Sequence, residues 1–282
     1  MEVFEDASEM RGWSRQQRAE GRVVGLVPTM GALHEGHASL IRRSASECAA
    51  TVVSIFVNPT QFAPHEDYDR YPRTWEADRA LCESLGADAV YVPSRDGMYP
   101  PDYSTYVEVG DVSDGLESET RPHFFCGVAT VVAKLFNAVE PDAAYFGQKD
   151  AQQAAVIKRM TRDLDFGINI IVCPIVREED GLALSSRNKY LDSEQRERAL
   201  ALSRGLFKAQ RLAEQGETDA AKLRESIREE MAAVDVDYVA VVDPETLNEV
   251  SRIGSRALAL VAAKVGETRL IDNAYLRTKD AG

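Results

Sequence analysis

Val23-Val24-Gly25-Leu26-Val27-Pro28-Thr29-Met30-Gly31-Ala32-Leu33-His34-Glu35-Gly36-His37-Ala38-Ser39-Leu40-Ile41 passes from an apolar run, through turn residues, into helical periodicity. The run over residues 22–27 predicts a buried strand, because continuous Val and Leu suit a strand covered on both faces. Leu40, Ile41, Ala45 and Cys48 set one apolar face on a helix over residues 38–48. Strand, polar loop and helix in this order predict a unit of a parallel α/β sheet. In such sheets ligands gather outside the carboxyl ends of the strands.

The same alternation continues along the chain. Strands are predicted over 51–57, 89–92, 143–146 and 169–172, and helices over 74–85, 127–139 and 150–163. The fold class expected is α/β: a Rossmann-like parallel sheet with helices on both faces. Residues 93–122 are rich in Pro and Gly but alternate over 103–109. They predict a short strand within a long loop that covers a site or contacts a partner chain. Beyond Pro174, charged helices over 193–215 and 218–233 precede apolar stretches at 236–242, 257–265 and 270–275. That pattern predicts a smaller α+β C-terminal domain, with domains of 1–175 and 176–282.

Composition narrows the function classes. Lys and Arg number 33 against 46 Asp and Glu, a net charge of −13, which argues against nucleic-acid or anionic-membrane binding. A phosphate site must therefore be built locally, from few cations and from backbone amides. The acidic N-terminus has no apolar core of the kind a signal peptide carries, and no apolar stretch is long enough to span a bilayer. Cys48, Cys82, Cys126 and Cys173 form no Cys-x-x-Cys pair, so buried reduced thiols in a cytoplasmic protein are expected.

Four segments at predicted strand ends concentrate polar residues. In the first, His34 and His37 stand three apart, a spacing that sends both to one side of a helical turn. Gly36 lets backbone approach an anion, and His37 falls in the first helical turn, where amides and dipole favour phosphate. The alternative is two histidines in one exposed loop. A zinc-protease pattern would need a histidine at the position of Ala38, so no metal centre is expected. The second segment, Asn58-Pro59-Thr60-Gln61, is either a polar turn or a pair of carboxamides that hydrogen-bond a small hydroxylated substrate.

The third segment, Gly147-Gln148-Lys149-Asp150-Ala151-Gln152-Gln153, puts a lysine at a helix mouth, either as a point charge for phosphate or as a solvated partner of Asp150. Gln153 faces either a site or solvent. The fourth, Leu184-Ser185-Ser186-Arg187, is either a cap or turn, or a compact oxyanion binder. A nucleophilic serine is disfavoured, since no Gly-x-Ser-x-Gly surrounds it.

Taken together, these segments resemble the pantoate–β-alanine ligases of the HIGH-type nucleotidyltransferase superfamily. The likeness runs in order through Val27–His37, Ile55–Phe62, Tyr71-Pro72-Arg73, Met98-Tyr99-Pro100, Gly147–Gln153 and Gly181–Leu191. The resemblance implies ATP-dependent ligation of pantoate to β-alanine through a pantoyl adenylate, with Mg²⁺ accompanying ATP. By resemblance His34, His37, Lys149, Ser185, Ser186 and Arg187 are catalytic. Pro28, Thr29, Met30, His37, Gly147, Lys149, Asp150, Val176, Leu184, Ser185, Ser186 and Arg187 border ATP. Met30, Asn58, Gln61 and Gln153 border pantoate. A homodimer formed through the N-terminal domain is also implied.

Two positions depart from the family pattern. Gly-Glu-Lys-Asp reads Gly147-Gln148-Lys149-Asp150, and Arg-Pro-x-His-Phe reads Arg121-Pro122-His123-Phe124-Phe125, which moves the histidine one residue early. Two rivals stand beside this reading: another acid or nucleotide adenylyltransferase of the superfamily, and a non-catalytic nucleotide-binding relative.

Overall fold

The computed structural model describes residues 1–63 and 68–279. Contacts divide the chain into two compact units, Met1–Gly147 with Val156–Cys173, and Gln148–Ala155 with Pro174–Gly282.

The first unit is built on six parallel strands: β1 (Glu2–Phe4), β2 (Val24–Thr29), β3 (Ala50–Ile55), β4 (Ala89–Tyr91), β5 (Ala143–Gly147) and β6 (Asn169–Cys173). Their order is β1-β4-β3-β2-β5-β6. Val24 through Thr29 pair with Ala50 through Ile55, and Gly25 and Leu26 pair with Ala143 and Ala144 on the other side. Val24 to Val27 and Ala50 to Ser54 are buried without a break. Successive side chains point to opposite faces, so both faces of these strands are covered. The chain leaves β2 toward β3 and returns on its far side as β5. This reversal is the switch point where such sheets hold ligands.

Helices α1 (Ala7–Ala19), α2 (Glu35–Glu47), α3 (Trp75–Ser84), α4 (Arg95–Met98), α5 (Glu117–Thr120), α6 (Phe124–Val139) and α7 (Ala151–Asp163) follow in chain order. Leu40 and Ile41 of α2, Cys82 of α3, Val27, Val53 and Val90 of the strands, and Tyr145 form one apolar cluster. Sequence periodicity does not reveal α1. Only Met10, Ser14 and Gln17 of its thirteen residues are buried, so it carries almost no apolar stripe.

Several sequence expectations need correction. Val23 is exposed and precedes β2. Helix α2 begins at Glu35, three residues before the expected Ala38, because His34 caps it with a side chain seldom used that way. Its buried face carries Ser44, whose Oγ pairs with Thr51 Oγ1 at 2.9 Å, whereas Ala45 is exposed. The strand expected over 103–109 is absent. There the Val107 amide donates to the Thr130 hydroxyl at 2.9 Å instead of to a ladder. The tyrosine spacing reflects edge contacts of Tyr103 with Tyr99 (5.0 Å) and Tyr106 (5.8 Å). The cysteines are free, with Cys82 and Cys173 buried and Cys48 and Cys126 only partly so.

The second unit packs α8 (Ser193–Glu214) and α9 (Ala220–Glu230) on an antiparallel sheet of β7 (Asp235–Val242), β8 (Arg256–Val265) and β9 (Thr268–Arg277). Ala257, Ala259, Val261, Ala263 and Val265 recur at period two along β8 and join Leu202, Leu206, Leu223 and Ile227 in one core. Among the described residues no helix is long and apolar enough to cross a membrane.

Candidate active site

The loop after β2 is held from below by one carboxylate. Asp78 of α3 is 3% exposed; its Oδ2 accepts from the Ala32 amide at 2.9 Å and its Oδ1 from Leu33 at 2.8 Å. The loop needs such a clamp because Gly31 and Ala32 both lie at positive φ, +79° and +51°. A Cβ on Gly31 would stand 3.0 Å from Asp78 Oδ2, so this turn also requires glycine. Thr29 closes the base, donating to Ser54 O at 2.8 Å and accepting from the Gly31 amide at 3.1 Å.

This loop delivers the two histidines to the start of α2. His34 Nδ1 accepts from the Gly36 amide at 3.1 Å, and His37 Nδ1 accepts from the His34 amide at 3.3 Å, a reciprocal capping box. The rings lie 4.2 Å apart, centroid to centroid. With each Nδ1 acting as acceptor, each neutral ring carries its proton on Nε2, which assigns both tautomers as Nε2 donors. Two imidazole donors at a helix N-terminus, at the sheet's switch point, suit an anion.

Asn58 and Gln61 lie in the short 3₁₀ turn after β3. Asn58 is 1% exposed and its carboxamide is fully engaged within the protein. Its Nδ2 donates to Gln61 Oε1 and to Gly127 O, both at 3.1 Å, while its Oδ1 accepts from Thr60 Oγ1 and from the Tyr99 hydroxyl, both at 2.9 Å. Burial pushes the Tyr99 hydroxyl up to about 12, which keeps it a donor. Helix α6 meets this turn at Gly127, where a Cβ would fall 2.5 Å from Thr60 O. Asn58 thus orients Gln61 instead of facing open space.

The position of the shifted histidine lies on the same wall. Phe124 opens α6, and the Arg121 guanidinium lies over its ring, 3.8 Å from the centroid. Arg121 also donates to Gln61 O at 3.0 Å. His123 sits in the left-handed region at φ 73° without capping the helix. Phe124 supplies the planar face on which the arginine holding Gln61 rests.

Lys149, Asp150, Gln153, Val176, Leu184, Ser185, Ser186 and Arg187 belong to the second unit. Gln148–Asp150 form a 3₁₀ turn ahead of α7. Lys149 Nζ lies 3.7 Å from Asp150 Oδ1, a partly exposed pair. A short hairpin pairs Arg177 with Ala183, and the Leu184 amide donates to Val176 O at 2.9 Å. Ser185 caps the following 3₁₀ turn, its Oγ accepting from the Arg187 amide at 3.3 Å. Buried Asn188 ties that turn back by donating to Glu178 Oε1 at 2.6 Å and Ala183 O at 3.1 Å.

Motif reading missed Asp78 in the first unit and Arg177, Asp272 and Asn273 in the second, and it quoted Tyr99 and Arg121 without giving either a role. Signals existed for some of them. Asp78 stands four residues before buried Cys82 on one helix face, and Asp272-Asn273 interrupts an apolar strand. Among the described residues no group of three or more His, Cys, Asp or Glu is placed to hold a metal ion.

Comparison with known proteins places this geometry in a family. The chain matches the pantoate–β-alanine ligase family over residues 2–275. It is 54% identical over 277 residues to the pantothenate synthetase of Acetivibrio thermocellus, covering 97% of this chain and 98% of that protein. The crystal structure of pantothenate synthetase from Thermus thermophilus superposes with a TM-score of 0.93 at 44% identity, covering 98% of this chain and 100% of that one. The pantoate–β-alanine ligase of Francisella tularensis, complexed with β-γ ATP and β-alanine, gives a TM-score of 0.79 at 34% identity over 97% of both chains. The parallel α/β unit with its small antiparallel partner is thus the fold of these enzymes, and the chain belongs to the pantoate–β-alanine ligase family.

Proposed function

We propose that the chain joins pantoate to β-alanine in two half-reactions driven by ATP. In the first, a pantoate carboxylate oxygen attacks the α-phosphorus of ATP, the bond to the β-phosphate oxygen breaks, and pyrophosphate leaves. In the second, the β-alanine amine attacks the acyl carbon of the pantoyl adenylate. AMP departs with the bonding electron pair, and the amine gives up its proton.

The first step brings two anions together, so donors must offset charge on the phosphates. His34 and His37 donate from Nε2 to phosphate oxygens; Lys149 and the Ser185-Ser186-Arg187 group hold others. Pro28, Thr29, Gly147, Asp150, Val176 and Leu184 border the nucleotide. Met30, Gln61 and Gln153 border pantoate, with Asn58 acting on that side through Gln61. Mg²⁺ enters as MgATP with phosphate oxygens as ligands, the usual manner for an ion that dehydrates reluctantly. No covalent enzyme intermediate is needed, so the second step rests on alignment of amine and acyl group. By family likeness we also assign the chain to the cytoplasm, as a homodimer formed through the N-terminal domain.

The observation that carries this reading is the reciprocal His34–His37 cap, which engages both Nδ1 atoms as acceptors at the switch point of a sheet whose sequence matches the family. Pyrophosphate exchange into ATP with a panel of acids tests it. Pantoate-dependent exchange, followed by pantothenate formation on adding β-alanine, is expected. Exchange driven by a different acid, or MgATP binding without turnover, would overturn it in favour of one or the other rival.

A further inference from the structure

The strand that ends the second unit carries two adjacent polar residues in an otherwise apolar run. Asp272 is 3% exposed and Asn273 1%. Asn273 Nδ2 donates to Gln148 O at 2.8 Å and to Lys149 O at 3.0 Å, while its Oδ1 accepts from Gln148 Nε2 at 3.1 Å. All three bonds span some 125 residues of sequence and end on the turn that carries Lys149. Asp272 grips the other polar segment of the unit. It receives a two-pronged ion pair from Arg177 at 2.7 and 3.0 Å, and Arg177 donates onward to Gly181 O at 3.1 Å. Asp272 Oδ1 also accepts the Asn273 amide at 2.7 Å, which joins the two grips.

A 3₁₀ turn of three residues has little stiffness of its own. Lysine is a flexible point charge whose usefulness depends on where its backbone is held. Buried carboxamides with every donor and acceptor engaged are rigid anchors. Gln148 fits the same logic at the position where the family pattern has Glu. Its carboxamide NH₂ donates to Asn273 Oδ1, which leaves both Asn273 donors on the two carbonyls.

We propose that Asn273 is a positioning residue for the nucleotide, acting through the Gln148–Lys149 backbone to set the Lys149 ammonium against phosphate oxygens. This rests on the reading of Lys149 given above. Asn273 touches no substrate in this scheme, and its effect travels only through Lys149.

A double-mutant cycle on MgATP affinity, measured calorimetrically on the full chain, tests it. Asn273→Ser exchanges the two carboxamide donors for one hydroxyl on a shorter side chain, without burying a charge. It is expected to weaken MgATP binding about tenfold in the wild-type background and less than twofold in Lys149→Ala, a coupling normal for residues of one network. Equal losses in both backgrounds would overturn the proposal, since a merely structural role is additive. No loss in either would do the same. Gln148→Ala, a milder change at a half-buried position, is expected to weaken MgATP binding about threefold, again only while Lys149 is present. Should Asn273→Ser fail to fold, an unchanged affinity in Gln148→Ala would overturn the proposal. If Lys149→Ala itself leaves MgATP affinity and exchange unchanged, the reading of Lys149 falls, a result distinct from failure of the Asn273 link.

Discussion

Asn58 donates from Nδ2 to Gln61 Oε1 at 3.1 Å, and this bond decides which end of the Gln61 carboxamide is presented beyond the turn. With its oxygen engaged, Gln61 offers an NH₂ group, which suits an acceptor such as a carboxylate or hydroxyl oxygen of the proposed acid substrate. Gln61→Glu keeps an oxygen toward Asn58 but sets a second oxygen where the donor stood. The expected result is a rise in KM for pantoate of roughly 10–100-fold, the cost of leaving one buried polar group unpaired. KM for ATP should stay within a factor of two. Initial rates against each substrate check this, and an equal rise in both constants would argue against the orientation.

Asp78 serves two amides with two oxygens. Asp78→Asn retains shape but turns an NH₂ toward either Ala32 or Leu33, leaving that amide without an acceptor. The expected loss is about 1–3 kcal/mol of stability, read from urea unfolding, together with weaker MgATP binding as the histidine loop loosens. Unchanged unfolding in urea would remove Asp78 from this role.

His34→Ala and Lys149→Ala each delete one donor proposed to face the phosphates. Adenylate formation, followed by pyrophosphate release in a single turnover, should slow by about 10²-fold or more in each. Near-normal single-turnover rates in both variants would refute the phosphate roles.

Burial raises Tyr99 from 10.0 to about 12, so the folded protein favours its neutral, donating form. The sign of the linkage follows: this contribution to stability is whole below pH 10 and is lost as the pH rises from 10 toward 12. Burial also raises Tyr91, Tyr103 and Tyr145, so absorbance at alkaline pH should show several tyrosines ionising late, and Tyr99→Phe should lower that late amplitude by one tyrosine. An undiminished late amplitude in Tyr99→Phe would assign the whole late step to the other buried tyrosines.

Much of the fold was legible because the buried strands read as continuous apolar runs. Val24 to Val27 and Ala50 to Ser54 carry no alternation because both faces are covered. The residues proposed to face phosphate stand out in the sequence as well, since such chemistry demands those side-chain types beside strand ends. Positioning residues were harder to read. The partners of Asn273 lie some 125 residues away, and only the folded chain brings them into hydrogen-bond range. The expected strand at 103–109 shows the opposite error. Tyrosines spaced for ring contacts imitate the alternation of a strand, and only the absence of a ladder partner separates the two.

The long reach from Asn273 to the Lys149 turn has a consequence for synthesis. Translation proceeds at about 5–20 residues per second, so the turn emerges roughly 6–25 seconds before the strand that secures it. During that interval the residues of the histidine loop are already synthesised, while the Lys149 turn still lacks its Asn273 partner. On the proposed role of Lys149, the grip on the nucleotide is complete only once β9 has formed, and a product lacking that strand is expected to bind MgATP weakly.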